Sequence, residues 1–548
     1  MTPTESVAVI GGGVGGLTAA HELADRGFEV EVYEARERFG GKSRSLRVTG
    51  ENGTENLPGE HGFRFLPGFY RHLRDTMQRI PCGSNPRGVR DNLVEVMEMM
   101  RCNVDEPNVV SRRRHVDSLE DFVYMVDRML WRDSVPDREH TFFLNRFLVL
   151  ATSCDARWEE EHEQTSWWEF THADDLSEDY RKYLVRGATK LLVAMDPEMS
   201  SARTIGKMTV QILNDIVDPD RKVEILDAPT SEAWIDHWID YLQGHDVELN
   251  SGTPVTEIEY DAGRVRGFTT PEGDVEADHY VLATPLEAAL ELLPEEAMED
   301  APSLGRIRRL HTDWMNGIQF YLDRDVEMAE GHGIYFDSPW ALTSISQRQF
   351  WKQDFEEYGG DEVEGVLSVC ISDWGRAGVV YDKPARECTP EEIKEEVWTQ
   401  INDHLDEPID DGALVDWYLA PSIRHEDGVT YNDEPLLVNT VGSRANRPEA
   451  DTEIPNLYLA ADYVLTETDL ATMEGANEAA RHAVAGVLRR SDVDAQPPET
   501  WELDEPGFLS PLRRLDAVRH RLGLPHLGDR VAPFWKTYAR SDALELPL

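Results

Sequence analysis

Lysine is scarce in this sequence, whereas acidic residues are abundant. Nine of the 54 basic residues are lysine, against 105 aspartates and glutamates, so the formal net charge at pH 7 is −51. Such an acidic chain excludes nucleic acid as the main partner, because phosphate binding needs clustered lysine and arginine. The same charge argues against electrostatic docking of the whole molecule to anionic lipid.

An acid-rich, lysine-poor composition resembles that of proteins from organisms that keep molar salt in the cytoplasm. At about 1 M salt the Debye length falls to about 3 Å, so repulsion between surface charges is screened. In dilute buffer the same repulsion destabilises the compact chain. We therefore expect a halophilic, cytoplasmic protein, and the alternative is an acidic protein of an ordinary cytoplasm.

Long apolar runs are absent and cysteine is sparse. The five cysteines among 548 residues form no CxxC pair, which favours free thiols in a reducing compartment. The N-terminal segment has no basic region followed by an apolar stretch, so the sequence predicts no secretory signal. The apolar stretch 142–151 is interrupted by Asn145 and Arg146, and it is too short to span a membrane.

The clearest pattern lies near the N-terminus, where a strand runs into glycines and then into a helix. The apolar run 7–10 is followed by Gly11-x-Gly13-x-Gly15-Gly16, and a second strand, 30–33, ends at Glu34. In this βαβ unit the glycines permit a tight turn and a close approach of the backbone to a pyrophosphate. Glu34 is placed to accept hydrogen bonds from ribose hydroxyls and to repel a 2′-phosphate, so a dinucleotide other than NADP is predicted.

The residues that follow indicate the kind of dinucleotide by resemblance. The run Glu34-Ala35-Arg36-Glu37-Arg38-Phe39-Gly40-Gly41-Lys42 resembles a signature of the superfamily of FAD-dependent amine oxidases and phytoene desaturases. The resemblance implies FAD as the cofactor, and Gly40 and Gly41 would let the backbone pass close to it. Arg38 or Lys42 would supply a cation for the pyrophosphate.

Two later regions resemble further motifs of this superfamily. Segments 253–258 and 280–285 are similar to its second FAD-contact strand, which assigns cofactor contacts to Val255 and Ala283. Segments 456–462 and 471–476 are similar to its C-terminal flavin motif, which assigns contacts to Asp462, Thr472 and Met473. The positive end of the helix that begins near Met473 would face the flavin. Ala461 departs from the motif, because the family usually has glycine there.

A segment after the cofactor signature indicates the substrate class. Glu60-His61-Gly62-Phe63-Arg64-Phe65 resembles a segment of plant-type carotenoid desaturases and, more closely, of hydroxysqualene dehydroxylase-like proteins. The resemblance implies that Gly62 and Phe63 contact FAD, and it makes His61 and Arg64 candidate catalytic residues at the flavin face. His61 precedes the glycine, whereas the desaturase pattern has histidine after it.

Features typical of amine oxidases are missing. Those enzymes generally carry a lysine on a strand beside the flavin, whereas no lysine occurs here between 222 and 352. They also form an aromatic cage from paired residues near the C-terminal motif, where Tyr463 alone stands in this chain. Both departures lower the expectation of an amine substrate.

The resemblance implies an α/β fold in two domains. A Rossmann-like, glutathione reductase-like FAD-binding domain would be assembled from residues 1–75, 225–300 and 430–490. An inserted helical plus β-sheet substrate domain would comprise 76–224 and 301–429, with predicted helices at 119–130 and 180–192. The aromatic clusters at 129–131, 142–143 and 167–168 are interpreted as core, or alternatively as an apolar tunnel or a face that makes peripheral membrane contact. Residues 491–548 form a C-terminal extension whose role the sequence does not show.

These patterns lead to one functional hypothesis and two alternatives. We expect an FAD-dependent oxidoreductase that takes hydride from an apolar isoprenoid, a carotenoid precursor or hydroxysqualene-like lipid, with a quinone or O2 as electron acceptor. The alternatives are a flavin amine oxidase that produces an imine and H2O2, and a redox-neutral flavin-dependent isomerase. No metal site is predicted, because the acidic run 159–163 has the spacing of a solvated helix face.

Overall fold

The computed structural model describes residues 5–104, 106–113, 132, 134–187, 189–218, 220–326, 328–353, 355–505 and 507–539. The predicted helix 119–130 and the aromatic cluster 129–131 lie outside the described residues. No helix in the described part of the chain is long and apolar enough to cross a membrane.

The strands of the described ranges fall into one parallel sheet, one large mixed sheet and several small ribbons. In chain order they are β1 (Ser6–Ile10), β2 (Glu29–Tyr33), β3 (Ser45–Val48), β4 (Leu57–Glu60), β5 (Leu93–Glu95), β6 (Glu98–Cys102), β7 (Val109–Arg112), β8 (Glu224–Leu226), β9 (Glu248–Asn250), β10 (Glu257–Asp261), β11 (Arg264–Thr270), β12 (Gly273–Val275), β13 (His279–Leu282), β14 (His311–Asp313), β15 (Asn316–Leu322), β16 (Gly331–Tyr335), β17 (Leu342–Ser346), β18 (Gly365–Ile371), β19 (Leu414–Leu419), β20 (Ile423–Glu426), β21 (Val429–Asn432), β22 (Leu436–Val438) and β23 (Leu457–Leu459).

Helices cover both sheets. The α-helices are α1 (Val14–Ala24), α2 (His72–Arg79), α3 (Asp137–Thr152), α4 (Asp155–Arg157), α5 (Trp167–Phe170), α6 (Lys190–Val193), α7 (Ala202–Val217), α8 (Asp236–Gln243), α9 (Leu286–Leu292), α10 (Glu295–Asp300), α11 (Pro302–Arg306), α12 (Pro390–His404), α13 (Met473–Arg490), α14 (Ser510–Arg521) and α15 (Leu527–Ala539). π-Helical turns are formed by Trp158–His162, Tyr180–Arg186 and Ser231–Ile235.

The first sheet is parallel, with strand order β23-β13-β1-β2-β9. Its central strand β1 is buried on both faces from Val7 to Ile10, which explains why its sequence is a continuous apolar run. α1 and α13 pack against each other on this sheet. Since the five strands come from widely separated parts of the chain, the predicted discontinuous, Rossmann-like α/β fold is confirmed.

The second sheet has the order β19-β15-β18-β17-β16-β6-β7, and its pairs are antiparallel except for β16 with β6. β15 and β18 lie inside this sheet and are buried along their whole length. α12 covers the face away from the cavity, and Thr389 and Glu392 form a capping box that fixes the start of this helix. This sheet positions the side chains that form the floor of the cavity described below.

A helical layer around α3 and α7 covers the cavity from another side. Its core contains Phe142, Phe143 and Trp167, as the interpretation of these aromatics as core predicts. The predicted helix 180–192 is wrong in detail: it consists of the π-helical turn Tyr180–Arg186 and the short helix α6. Gly187 separates the two pieces, and glycine is among the weakest helix formers.

The C-terminal extension crosses the molecule and packs on the helical layer. α14 contacts α4 and α3, and α15 lies along α3. The Asp516 carboxylate of α14 forms a buried ion pair with Arg157, at 2.9 Å from the arginine Nε. The extension is therefore attached to the layer that forms one wall of the cavity.

Candidate active site

A cavity of about 1190 Å³ is lined by residues of both sheets and of the helical layer. The sequence-predicted site residues converge on it. Those that line the cavity are Gly11, Gly13, Gly15, Glu34, Ala35, Gly40, Gly41, Lys42, His61, Gly62, Phe63, Arg64, Val255, Ala283, Asp462, Thr472 and Met473. Gly16 and Arg38 do not line it.

The glycines after β1 have distinct environments. Gly11 adopts a φ of +106°, which turns the chain out of the sheet. Gly13 borders the cavity, and a Cβ atom there would meet nothing closer than the Gly41 Cα at 3.8 Å. A Cβ at Gly16 would lie 1.9 Å from the Gly11 carbonyl oxygen. Gly16 therefore allows α1 to pack against the turn, and its assignment as a cofactor contact is corrected.

Glu34 is buried at the end of β2, and its carboxylate is held by backbone donors. Oε2 accepts a hydrogen bond from the Gly12 N–H at 2.8 Å, and Oε1 accepts one from the Arg36 N–H at 2.9 Å. Each carboxylate oxygen has a further lone pair. This arrangement suits the predicted acceptance of hydrogen bonds from ribose hydroxyls.

The cations near the glycine turn are only partly those that the sequence suggested. Lys42 lines the cavity, and its Nζ donates a hydrogen bond to the Pro435 carbonyl. Arg38 forms a surface ion pair with Asp236 at 3.1 Å and does not line the cavity, so the structure does not support its assignment to a pyrophosphate. Arg36 lines the cavity instead.

The C-terminal motif brings a second helix N-terminus to the cavity. Thr472 caps α13 by accepting a hydrogen bond from the Gly475 N–H at 3.1 Å, and Met473 begins the helix at the cavity wall. Thr284 also lines the cavity, and its buried hydroxyl has no hydrogen-bond partner in the described part of the chain. An unpaired buried hydroxyl is costly unless a ligand satisfies it.

These residues fit a bound dinucleotide. The first turn of α1 has neither a side-chain cap nor an acidic residue, so its N–H groups are available to phosphate oxygens. Gly13 leaves room for the phosphates to approach the backbone, Glu34 suits the ribose, and the positive end of α13 suits a group that gains negative charge. Contacts of individual residues with the cofactor stay predictions.

His61 lies beside a buried glutamate that the sequence analysis did not single out. The His61 Nδ1 is 3.4 Å from Oε2 of Glu434. Burial lowers the pKa of His61 below 6.5, and Glu434 opposes this only in part, so the imidazole is neutral at pH 7. Burial raises the pKa of Glu434, but His61, Arg36 and Arg44 outweigh burial and keep this carboxylate ionised.

Arg64 fixes the backbone around His61. Its guanidinium donates hydrogen bonds to the carbonyls of Gly62, at 2.8 Å, and of Lys42. The His61 carbonyl in turn accepts from the Gly317 N–H of β15 at 2.7 Å. Arg64 thus joins the loop 61–64 to the cofactor signature, and the described contacts make it a positioning residue.

Cys370 on β18 lines the cavity next to Gly62. A Cβ on Gly62 would lie 3.0 Å from the Cys370 Sγ, so the glycine permits close packing here. Burial raises the pKa of the Cys370 thiol to about 11. The thiol is therefore protonated at neutral pH and does not act as a nucleophile.

Away from the cofactor residues the cavity is mostly apolar. Its side chains there come from the helical layer and from the second sheet. They include Phe65, Met97, Met99, Phe143, Phe147, Leu184, Leu191, Met195, Met208, Ile212, Leu213, Val223, Ile334 and Phe336. Pockets lined in this way bind apolar ligands, and a few polar groups fix their orientation.

Sequence reasoning missed several lining residues and misplaced one. Glu434 and Cys370 stand in no recognisable motif, because the topology alone brings them to the cavity, and Thr284 lies in the matched segment 280–285 without having been singled out. Arg36 lies inside the quoted signature, and its ion-pair partner distinguishes it from Arg38: Arg36 pairs with the buried Glu434 at the cavity, whereas Arg38 pairs with the exposed Asp236. Tyr463 is buried in the core of the parallel sheet and does not line the cavity, so it forms no part of an aromatic cage.

Comparison with known proteins places the chain in a family. The sequence profile of the family described as "Flavin containing amine oxidoreductase" matches residues 14–488. The 15-cis-phytoene desaturase of Synechococcus elongatus is 24% identical over 505 residues, which cover 89% of this chain and 96% of that protein. The carotenoid 3,4-desaturase of Haloarcula japonica is 50% identical over 46 residues, which are 8% of this chain and 9% of that protein.

Solved structures of low identity share the fold. A putrescine oxidase structure superposes with a TM-score of 0.61 at 15% identity, covering 89% of this chain and 99% of that one. Cyclohexylamine oxidase from Brevibacterium oxydans gives a TM-score of 0.59 at 16% identity with the same coverage. With the profile match over most of the chain and the dinucleotide cradle described above, this protein belongs to the flavin-containing amine oxidoreductase family and is an FAD-dependent oxidoreductase.

Proposed function

We propose that this enzyme oxidises an elongated, apolar isoprenoid, either a carotenoid precursor or a hydroxysqualene-like lipid, with a quinone or O2 as the final acceptor. The observation that carries the proposal is the long apolar portion of the cavity, continuous with the cofactor residues. When bound, FAD supplies the acceptor for hydride from an allylic carbon, and loss of a proton completes the double bond.

The floor of the cavity supports an elongated substrate. Neighbouring strands of the second sheet place Cys370, Thr343 and Ile334 side by side, since Cys370 pairs with Thr343 and Thr343 with Ile334. The next strand, β6, continues this floor with Met99. At about 4.8 Å per strand, these positions form a mostly apolar strip that leads away from Gly62.

The residues of the chain bind the substrate, orient it and exclude water from it. Apolar side chains of α3 and α7 enclose the hydrocarbon, and Phe63 and Phe65 separate it from solvent at the loop that carries His61. Neutral His61 is able to take up a proton, and ionised Glu434 stabilises the imidazolium that results. Arg64 holds this loop against the cofactor signature.

An amine substrate is the second candidate, because the superposed structures include amine oxidases. Against it, Lys42 is the one lysine that borders the cavity in the described ranges, and it lies in the cofactor signature. The relatives that match most of the chain are named phytoene and ζ-carotene desaturases. A flavin-dependent isomerase is the third candidate.

Anaerobic mixing experiments distinguish the three candidates. Purified holoenzyme in high salt is mixed with 15-cis-phytoene, with putrescine or with cyclohexylamine, and flavin absorbance is followed. We expect bleaching with the isoprenoid and none with the amines. Bleaching by an amine, with H2O2 released on admission of air, would overturn the proposal. Turnover by prereduced enzyme alone, without net consumption of an acceptor, would select the isomerase.

A pair of variants links the reaction to the cavity. Ile212→Asp places a carboxylate in the apolar wall, whereas Val379→Asp places one at an exposed surface position. Because a desolvated carboxylate opposes binding of a hydrocarbon, Ile212→Asp should slow flavin bleaching by phytoene at least tenfold. Val379→Asp should leave the rate unchanged. Equal rates in the two variants would mean that the substrate binds elsewhere.

We also propose that the enzyme contacts an anionic lipid surface through its C-terminal extension. The side chains of Phe508, Leu512, Leu515, Val518 and Leu522, here called the apolar stripe, are between 47% and 80% exposed. Leu512, Leu515 and Val518 of α14 and its C-cap residue Leu522 lie within about 120° of arc. Exposed apolar patches of this kind typically mark an interaction site.

The charge around the apolar stripe supports lipid over a protein partner. Residues 507–527 contain four arginines and a single acid, Asp516, which is buried in its pair with Arg157. This local excess of positive charge is the reverse of the −51 of the whole chain. An amphipathic helix with basic flanks is suited to an interface with anionic lipid, from which a lipid substrate is delivered. We propose the same cytoplasmic, high-salt setting that the composition suggests.

A further inference from the structure

The far edge of the cavity floor carries polar side chains among apolar ones. In the second sheet His332 of β16 pairs with Met99 of β6, and Met99 pairs with Ser111 of β7. Paired residues point to the same face of a sheet, and all three line the cavity. Arg113 lines it two residues beyond Ser111. The floor therefore ends in a serine and an arginine.

Two atoms of this edge lack a hydrogen-bond partner. The Ser111 side chain is buried, with 8% exposure, and its Oγ is unpaired among the described residues, as is Nη1 of Arg113. Leaving a buried donor or acceptor unsatisfied destabilises the fold, so native proteins keep such groups mainly where a ligand or water satisfies them.

The Arg113 guanidinium is held in place by its other nitrogen. Nη2 donates hydrogen bonds to the backbone carbonyls of Asp215 and Arg221. Nη1 is 3.9 Å from the Glu95 carboxylate, which is beyond hydrogen-bond distance. The side chain is therefore fixed, and the N–H groups of Nη1 remain without a hydrogen-bond partner in the described part of the chain.

The charges at this edge favour a neutral ligand group over an anion. Asp215 also lines the cavity here, and Glu95 lies 3.9 Å from Nη1 of Arg113; Arg113 and Arg221 balance these two acids. The Asp215 carboxylate accepts a hydrogen bond from the Gly68 N–H at 2.7 Å and lies 3.4 Å from Nη1 of Arg221. Since a ligand carboxylate would face two acidic side chains, an uncharged oxygen is the better match.

We propose that Ser111 and Arg113 form a subsite for a hydroxyl group at one end of an otherwise apolar isoprenoid substrate. The ligand oxygen accepts a hydrogen bond from Nη1 of Arg113 and donates one to Oγ of Ser111. This inference rests on the proposed function and narrows it, because it selects hydroxylated isoprenoids over pure hydrocarbons.

The position of the subsite defines where the substrate is oxidised. Four strand spacings separate Cys370 on β18, next to Gly62, from Ser111 on β7. At about 4.8 Å each, the polar end is held about 19 Å from the flavin side of the cavity. A fixed distance from a bound end group selects one carbon of a repetitive chain, which the apolar walls alone cannot do.

Binding measurements with a matched pair of ligands test the subsite. Holoenzyme is titrated with geranylgeraniol and with the hydrocarbon that carries hydrogen in place of its hydroxyl, and binding is followed by perturbation of the flavin spectrum. Because a hydrogen bond to a charged donor contributes about 1.5–3 kcal/mol, the alcohol should bind at least tenfold more tightly. Ser111→Ala and Arg113→Met should each reduce this preference severalfold, while affinity for the hydrocarbon stays the same.

Arg112→Met is the matched control. It removes the same charge from the residue before Arg113. The Arg112 side chain is 60% exposed, does not line the cavity and pairs with Glu98 at 3.6 Å. Its preference for the alcohol should equal that of the wild type. Equal affinity of the wild type for both ligands overturns the subsite and leaves the proposed function intact. Failure of both ligands to bind overturns the isoprenoid function, and the subsite with it.

Discussion

At the scale of single residues, Gly13 and Gly15 have different roles: Gly13 leaves room for the cofactor, and Gly15 leaves room for α1 to pack. A Cβ at Gly15 would lie 1.9 Å from the Ala460 carbonyl oxygen of the parallel sheet, whereas one at Gly13 would meet nothing within 3.5 Å. Gly15→Ala should therefore force α1 away from the sheet and lower the free energy of unfolding by about 1–3 kcal/mol. Gly13→Ala should change it by less than about 1 kcal/mol, because its extended backbone suits alanine.

The flavin content of the two variants completes this prediction. In Gly13→Ala the new methyl group stands where the backbone approaches the phosphates, so the folded protein should be purified with little FAD. Thermal unfolding of the apoprotein gives the stability, and the ratio of visible to ultraviolet absorbance gives the flavin content. Full flavin content in folded Gly13→Ala would show that the pyrophosphate lies elsewhere.

His332 makes the stability of the fold dependent on pH. Burial lowers the pKa of His332 from 6.5 to about 4, so the unfolded chain binds a proton that the folded one does not. The stabilisation is present above pH 6.5 and is lost as the pH falls toward 4. Between pH 7 and pH 5 the free energy of unfolding of the wild type should fall by about 2 kcal/mol more than that of His332→Gln, because glutamine does not titrate.

Denaturant unfolding at constant high salt measures this difference. Phe63 and Phe65 pack on the imidazole at ring-centroid distances of 5.3 and 5.1 Å. The comparison therefore tests whether these apolar rings keep the folded histidine unprotonated. Parallel pH profiles for the wild type and His332→Gln would contradict the prediction, because they would mean that His332 is solvated.

Some site residues were predictable from the sequence and others were not, for a physical reason. Glu34 and the glycines follow from a local βαβ pattern, in which spacing alone sets their positions. Glu434 and Cys370 reach His61 and Gly62 through contacts between segments more than 300 residues apart. The sequence does not separate Arg36 from Arg38, because the two differ only in the ion-pair partners that the fold places beside them, Glu434 at the cavity and Asp236 at the surface.

At the scale of elements, continuous apolar runs were predicted best. The apolar run 7–10 is β1, and the strand expected at 30–33 is β2, each within one residue at either end. The helix predicted at 180–192 failed because periodicity does not distinguish an α-helix from a π-helical turn that ends at a glycine. The extension 491–548 was unreadable because the partners that bury its helices lie on α3 and α4.

The ion pair between Arg157 and Asp516 should attach α14 to the helical layer. Arg157 is fully buried and Asp516 is 2% exposed. Asp516→Leu leaves the buried guanidinium with the half-exposed Glu161 carboxylate as its one remaining ion-pair partner among the described residues, and should lower the free energy of unfolding by about 3 kcal/mol. The double variant Arg157→Met/Asp516→Leu should recover most of this loss, because no charge remains buried without a partner.

An exposed ion pair supplies the control for this cycle. Arg308 and Glu295 are 44% and 64% exposed, so Glu295→Gln should leave the free energy of unfolding close to that of the wild type. Denaturant unfolding and limited proteolysis of the extension measure the effect on stability and on attachment. A double variant as unstable as Asp516→Leu would show that packing of α14, not the charge pair, holds the extension.

At the scale of the whole molecule, the net charge of −51 should make stability depend on salt. The Debye length is about 10 Å at 0.1 M and about 3 Å at 1 M, so added KCl screens repulsion between surface carboxylates. Buried pairs such as Arg157 and Asp516 are screened much less. We expect the melting temperature to rise steadily from dilute buffer to multimolar KCl. A flat profile would contradict adaptation to high salt.

Salt also separates the two contributions to lipid contact. At low ionic strength the attraction of Arg514 and of Arg521 to anionic headgroups is worth about 1 kcal/mol each. At 1 M salt the Debye length is about 3 Å, so this attraction is screened. Burial of the apolar stripe is not screened. Sedimentation with phosphatidylglycerol vesicles should therefore persist in 2 M KCl, and Leu515→Asp/Leu522→Asp should abolish it at every salt concentration, since both side chains are exposed.

The arginine variant behaves differently if the apolar stripe is the lipid contact. Arg514→Gln/Arg521→Gln should weaken sedimentation in dilute buffer and have no effect in 2 M KCl. Val379→Asp/Val380→Asp, on another exposed apolar pair, controls for the added charge. Since the stripe lies on a helix that packs against α3, and Phe143 and Phe147 of α3 line the cavity, loss of vesicle binding should also slow oxidation of vesicle-embedded phytoene. Unchanged oxidation would mean that the lipid enters by another route.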